Sequence, residues 1–394
     1  MSDSLSRISE FRLTRFQYRR DRDIGDSQVR FSMQHAVALE LTDQAGRTGL
    51  GFAGALFDPL DPLAALTATF ATHVWPGLEG AIPAALVHRV DRPRGGNRRD
   101  AAHGFSETIQ IALWDLAAQG AGMPLADYLG GRRRRVPAYA SGLDFHMTDA
   151  EFSAFFGHAA TKGFKAFKIK VGHPDPDWDI HRMEVLRRAV GPKAAFMIDA
   201  NEAWTAKQAA TRLHLFHKAG CDPLWVEGPI LRDDFDGLKR LSAEAPWTLI
   251  YSGEYLDLTG RCALLMARAT DILNVHGRIT DVMRIGWLAA DMGVPISLGN
   301  TFLETGVHTA CALPEVDWLE YSFLNYDHLV DEPYDIHDGF IHVPDVPGVG
   351  LRLSDSARRD WAAPEPLAPD AIRTGPPCRL RADATMPQSD PTNG

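Results

Sequence analysis

Between Val136 and Tyr321 the chain alternates short apolar runs with longer stretches that place apolar residues on one side of a helix. The runs are residues 138–141, 166–170, 195–199, 224–227, 249–253, 271–275, 294–298 and 318–321, and their starts are almost evenly spaced. Residues 178–190, 207–220 and 281–292 read as amphipathic helices between them. Short apolar runs separated by helices predict buried parallel strands, and eight such units predict a (β/α)8 barrel. An open doubly wound sheet is the competing layout. Upstream, residues 34–42 alternate apolar and polar, a turn follows at 43–46, and 48–53 return, which predicts a hairpin within antiparallel structure over 8–56. Residues 62–90 have helical periodicity punctuated by Pro76 and Pro83, and 106–128 read as a strong helix stopped by Gly130 and Gly131. The polar stretches 18–28 and 92–99 read as loops, the first of them mobile. After residue 325 hairpin-like pieces return, and the Pro- and Ala-rich segment 362–394 reads as a poorly ordered tail.

The 394 residues leave ample material for a large core, and 45% hydrophobic with 23% charged is ordinary globular composition. A formal net charge of −10 argues against a nucleic-acid surface. No apolar run reaches membrane-spanning length, and the N-terminus lacks the apolar stretch of a secretory signal, so a cytoplasmic protein is expected. Cys221, Cys262, Cys311 and Cys378 are too scattered for a zinc site and are expected as free thiols.

Candidate chemistry centres on residues 163–171, GFKAFKIKV. In an extended strand Lys168 and Lys170 point to one face while Phe167, Ile169 and Val171 take the other. Two adjacent ammonium groups lower each other's proton affinity, and a lysine so shifted can serve as a general base. Downstream, one carboxylate follows each of three consecutive apolar runs: Asp199, Glu227 and Glu254. At barrel strand ends these converge, and three close carboxylates demand a cation. An all-oxygen donor set suits Mg2+.

These motifs resemble the enolase superfamily, in its mandelate racemase and muconate-lactonising branch. Residues 106–131 are similar to that branch's helix signature, GFKAFKIKVG to its KxK motif, and Asp199, Glu227 and Glu254 to its metal ligands. The resemblance runs from about residue 8 to 350. It implies an α+β capping domain (1–135), a modified barrel (136–325), a return to the cap (326–361) and a homo-oligomer. It also implies Mg2+-dependent removal of the proton α to a carboxylate, through an enediolate. Lys170 is then the expected base, and Lys168 a cation stabilising the charge that develops. Asn201, Asn300 and Glu304 are candidate contacts for a small-molecule carboxylate substrate.

The chain departs from its relatives on the opposite wall. The muconate-lactonising pattern has a second lysine near the end of the sixth strand, where this chain has His276. The mandelate racemase pattern has a seventh-strand histidine, and VPISLGNTFLE contains none. His276 is therefore the candidate second acid or base. Three readings follow. The first is dehydration of a sugar acid to a 2-keto-3-deoxy acid, with the arginines of 18–28 and 92–99 suited to a polyhydroxylated anion. The others are racemisation or epimerisation of an α-substituted carboxylate, and a non-catalytic metal-binding relative.

Overall fold

The computed structural model describes residues 6–55, 60–88, 105–299, 301–378 and 380. Its first layer is an antiparallel sheet of β1 (Ile8–Gly25), β2 (Arg30–Asp43) and β3 (Thr48–Ala55), with β2 in the middle. Asp43 closes the β2–β3 turn by accepting from the backbone of Ala45 and Arg47. The sheet is covered by α1 (Leu63–His73), α2 (Pro83–Leu86), α3 (Ser106–Ala121) and α4 (Leu125–Tyr128).

Three expectations change here. Residues 18–25, read as a mobile loop, continue β1. Tyr18 is fully buried, and the arginines that made this stretch look solvated reach inward: Arg20 donates to the Leu324 carbonyl at 3.0 Å, and Arg22 donates to the Gly142 carbonyl. The arginines thus tie the sheet to the barrel. The 62–90 periodicity breaks into two helices and a 3-10 turn, because Pro76 and Pro83 can only start helical segments. The helix expected over 106–128 ends at Ala121, where Gly122 takes φ 68° and caps it. The loop 92–99 and its arginines lie outside the described residues.

The second body is a closed barrel of eight parallel strands: β4 (Arg135–Ser141), β5 (Ala166–Lys170), β6 (Ala195–Asp199), β7 (Trp225–Glu227), β8 (Leu249–Ser252), β9 (Ile272–Val275), β10 (Ile296–Leu298) and β11 (Val316–Tyr321). The pairing of β11 with β4 closes it. The helices between them are α5 (Asp149–Thr161), α6 (Pro176–Val190), α7 (Ala206–Lys218), α8 (Phe235–Glu244), α9 (Leu258–Met266), α10 (Ile279–Asp291) and α11 (Gly306–Ala312). Strand alternation divides the residues of β4 to β9 between two cores. Phe167, Ile169 and Ile198 join the larger core, while Tyr139, Ala166, Met197, Trp225, Tyr251 and Ile272 form a separate interior cluster. That plug closes the barrel below the polar layer described next.

After β11 the described residues hold only a 3-10 turn (Asp327–Leu329) and one short π-helix (Ala357–Trp361). The chain makes the hairpin β12 (Ile336–His337) and β13 (Phe340–His342), and β13 pairs antiparallel with the start of β4. The segment from 362, expected as a poorly ordered tail, instead packs along β1 as far as Gly375: Ala363 N–H donates to Arg15 O and Gly375 N–H to Arg19 O, both at 2.8 Å. Residues 381–394 lie outside the described part. All four cysteines are free.

His308, on α11, is wholly internal. Its Nδ1 accepts from Ala126 N–H at 3.1 Å, and its Nε2 meets Tyr334 Oη at 3.0 Å. Burial lowers its pKa to about 4. A folded-state value below the unfolded one means stability that is complete above pH 6.5 and is lost as pH falls from there towards 4. The loss is on the order of 3 kcal/mol for this group. We expect the urea midpoint to fall over that interval, and His308→Gln to flatten the fall. An unchanged pH profile in that variant would count against the assignment.

Candidate active site

The KxK strand turns both lysines into the barrel, where they are 2% and 5% exposed. Lys168 Nζ lies 2.5 Å from Glu227 Oε2, 3.1 Å from Glu320 Oε1 and 3.5 Å from Asp199 Oδ2, with the Tyr139 ring 5.3 Å away. Lys170 Nζ donates to Asp199 Oδ2 at 2.6 Å and Asn201 Oδ1 at 2.7 Å. Register explains the grouping: Lys170 is opposite Asp199, Asp199 opposite Glu227, and Glu320 opposite Tyr139. Asn274 Nδ2 donates to Glu227 Oε1 at 2.6 Å.

Lys168 does depress Lys170 as expected, but the net shift of both lysines is upward. Burial is the largest influence on Lys170 and lowers its proton affinity, as Lys168 also does. Asp199, Glu254 and Glu227 outweigh both and raise its pKa. Lys168 is likewise held well above its ordinary range, because Glu227 and Glu320 overcome burial. Asp199 is driven low despite burial, by Lys170 and Lys168. Glu254, half-buried just past β8, is pushed up to about 7 by burial and by Asp199.

The cluster holds four carboxylates, Asp199, Glu227, Glu254 and Glu320, against two ammonium groups. Fully ionised, the acids exceed the lysines by two charges in a low-dielectric space; without a further cation, burial and mutual repulsion raise the pKa values of Glu227 and Glu254, a demand that a divalent cation meets. The donor chemistry of Asp199, Glu227 and Glu254 therefore fits Mg2+. With both lysines among them, their oxygens do not all lie within 4.8 Å of one another.

The other expected residues fall as follows. Asn201 and Glu202 adopt φ 45° and 62°, a left-handed pair held by Asn201 N–H on Asp199 Oδ1 (2.9 Å) and by Glu202 on Arg232. Such backbone costs about 1–3 kcal/mol per residue and is maintained by its surroundings. Gln28 Nε2 donates to Asn201 O at 2.8 Å, so the first sheet reaches the same loop. Glu304, 8% exposed and with φ 56°, follows β10. Asn300 lies outside the described residues.

His276 follows β9, and its Nε2 is buried with no hydrogen-bond partner. Burial first and Arg261 second lower its pKa to about 4. Of the two roles expected for it, second acid or base, this favours the base: a neutral imidazole can accept a proton but has none in excess to donate. Arg261 holds the strand ends around it, donating to the carbonyls of Gly253, Glu254 and His276 at 3.1, 2.9 and 2.8 Å. Sequence reasoning missed Glu320, Asn274 and Arg261. The signal for the first two was available: each is a polar residue inside an apolar strand, WLEYS and ILNV, with inward parity.

Comparison with known proteins decides the family. A family profile described as Enolase C-terminal domain-like matches residues 153–357, more than half of the chain. The chain belongs to the enolase superfamily. This superfamily member is 28% identical over 338 residues to the 3,6-anhydro-alpha-L-galactonate cycloisomerase of Streptomyces coelicolor, covering 80% of this chain and 88% of that protein. A mandelate racemase candidate from Mesorhizobium loti superposes with TM-score 0.90 at 55% identity, over 95% of this chain and 99% of that one. The L-talarate dehydratase of Polaromonas sp. JS666, complexed with Mg and L-glucarate, superposes with TM-score 0.78 at 26% identity, over 91% and 98%. The superfamily relatives divide among dehydratases, cycloisomerases and an epimerase.

Proposed function

We propose that the protein is a Mg2+-dependent enzyme that removes the proton α to a carboxylate, and that its reaction is dehydration of a sugar acid to a 2-keto-3-deoxy acid. The observation that carries this reading is the buried pair Lys168–Lys170 among Asp199, Glu227 and Glu320. Asp199, Glu227 and Glu254 would hold the ion. When bound, Mg2+ supplies positive charge that offsets these carboxylates and stabilises the substrate carboxylate as it gains electron density. With the ion offsetting Asp199, Glu227 and Glu254, the charges that raise the pKa of Lys170 would be neutralised, and as a free amine beside Lys168 it takes the α proton at Nζ. Lys168, fixed by Glu320, keeps a full positive charge beside the developing enediolate. Asn201, held through its backbone by Asp199 and Gln28, orients Lys170 Nζ. The interior plug below, with Trp225 and Tyr251 wholly buried, keeps water from reaching the site through the barrel.

Racemisation or epimerisation is the second reading, favoured by one observation. A neutral His276 is suited to act as a base, which a two-base exchange requires and departure of a hydroxyl as water does not. A library of acid sugars assayed in D2O with Mg2+ separates the two. We expect one or more members to yield a 2-keto acid. A deuterated stereoisomer with no keto acid would establish the second reading and end the first.

A further inference from the structure

At the far end of the barrel, away from the strand ends that carry the carboxylates, the β12–β13 hairpin gathers a different set of side chains. Asp338 and Gly339, with φ 51° and 75°, make its two-residue turn. Ile336 pairs with Ile341 and His337 with Phe340, which sets Asp335 opposite His342. Alternation then sends Ile336 and Ile341 inward, where they are 8% and 0% exposed, and places Asp335, His337, Phe340 and His342 on the outer face. The ligand atoms of Asp335, His337 and His342 all lie within 4.8 Å of one another. They are the one such His/Cys/Asp/Glu group among the described residues.

We propose that Asp335, His337 and His342 form a binding site for a divalent transition-metal ion of the Zn2+ class. Two imidazoles and a carboxylate are the donor set that such ions select, whereas Mg2+ prefers oxygen alone. His337 Nδ1 already sits 2.7 Å from Asp335 Oδ2. Nε2 of His342 is buried without a hydrogen-bond partner, a polar atom that a metal bond would satisfy. The two imidazoles stack at 4.1 Å and 13°, so they tilt apart from this parallel arrangement to share an ion. The charged groups facing the cluster are Asp335 and Asp338 on the hairpin and Arg135 on β4. The Arg135 guanidinium is drawn over the Phe340 ring at 4.3 Å. Asp335 and His337 are exposed, leaving coordination positions for water. The ion would staple the hairpin that returns the chain to β4.

The test is calorimetric titration of Zn2+ into the untagged full chain in excess Mg2+, which keeps the barrel carboxylates supplied with their own ion. Wild type is expected to take one Zn2+ per chain, and H337Q/H342Q to lose that event. Circular dichroism of the metal-free variant should match wild type. Cu2+ should give imidazole-nitrogen hyperfine splitting in the wild-type electron paramagnetic resonance spectrum that the double variant lacks. Equal Zn2+ uptake and equal splitting in both proteins would overturn the site, as would loss of the Zn2+ event in E227Q with retention in H337Q/H342Q.

Discussion

Lys170→Ala is expected to reduce turnover by roughly 10²- to 10⁴-fold, the contribution of a positioned general base. The side chain lies with its ammonium on Asp199 and Asn201, so its removal takes away the amine of the pair that is not held by Glu227. Calorimetry should show Mg2+ binding retained, because the variant keeps all three candidate ligands. Exchange of the α hydrogen with D2O should disappear along with product formation. Wild-type exchange in the variant would remove Lys170 as the base and leave the cluster with a structural role.

The second large effect falls on stability. Lys168→Met removes a buried cation that meets three carboxylates within 3.5 Å. Breaking a buried pair leaves uncompensated charge and costs about 3–5 kcal/mol. Urea denaturation with a chelator present should register that loss at pH 7. The sign with pH follows from the acids left behind: they become neutral on protonation, so the deficit should shrink as the solution is acidified. A midpoint equal to wild type at pH 7 would show that Glu227 and Glu320 do not depend on the lysine.

Much of the barrel was legible because burial on both faces writes a strand as an apolar run. All eight runs fall on observed strands, with ends shifted by a few residues at most. The KxK pair and Asp199 were legible for a related reason: a charged residue inside or closing an apolar strand has only the barrel interior or mouth to face. What failed was reading polarity as exposure. Arg20 and Arg22 sit in a polar run, yet each spends its charge on carbonyls across the cap–barrel junction, an outcome decided by tertiary partners hundreds of positions away or on the next strand. Composition failed likewise for 362–375, whose prolines and alanines pack through backbone bonds to β1 that no side-chain pattern announces. The lysines' proton affinity was misjudged because their mutual repulsion was visible in the sequence, while Glu320 and Glu254, which outweigh it, arrive from distant strands.

Arg15 illustrates a consequence of how the two ends meet. It is fully buried in β1, and its guanidinium donates to the carbonyls of Leu60, Asp61, Ala363 and Glu365. During translation the last two acceptors emerge some 350 residues after the donor. A nascent chain therefore completes every barrel strand before its opening strand can be sealed. The emergence of residues 363–365, rather than of any early segment, is the event that lets the N-terminal sheet reach its final packing.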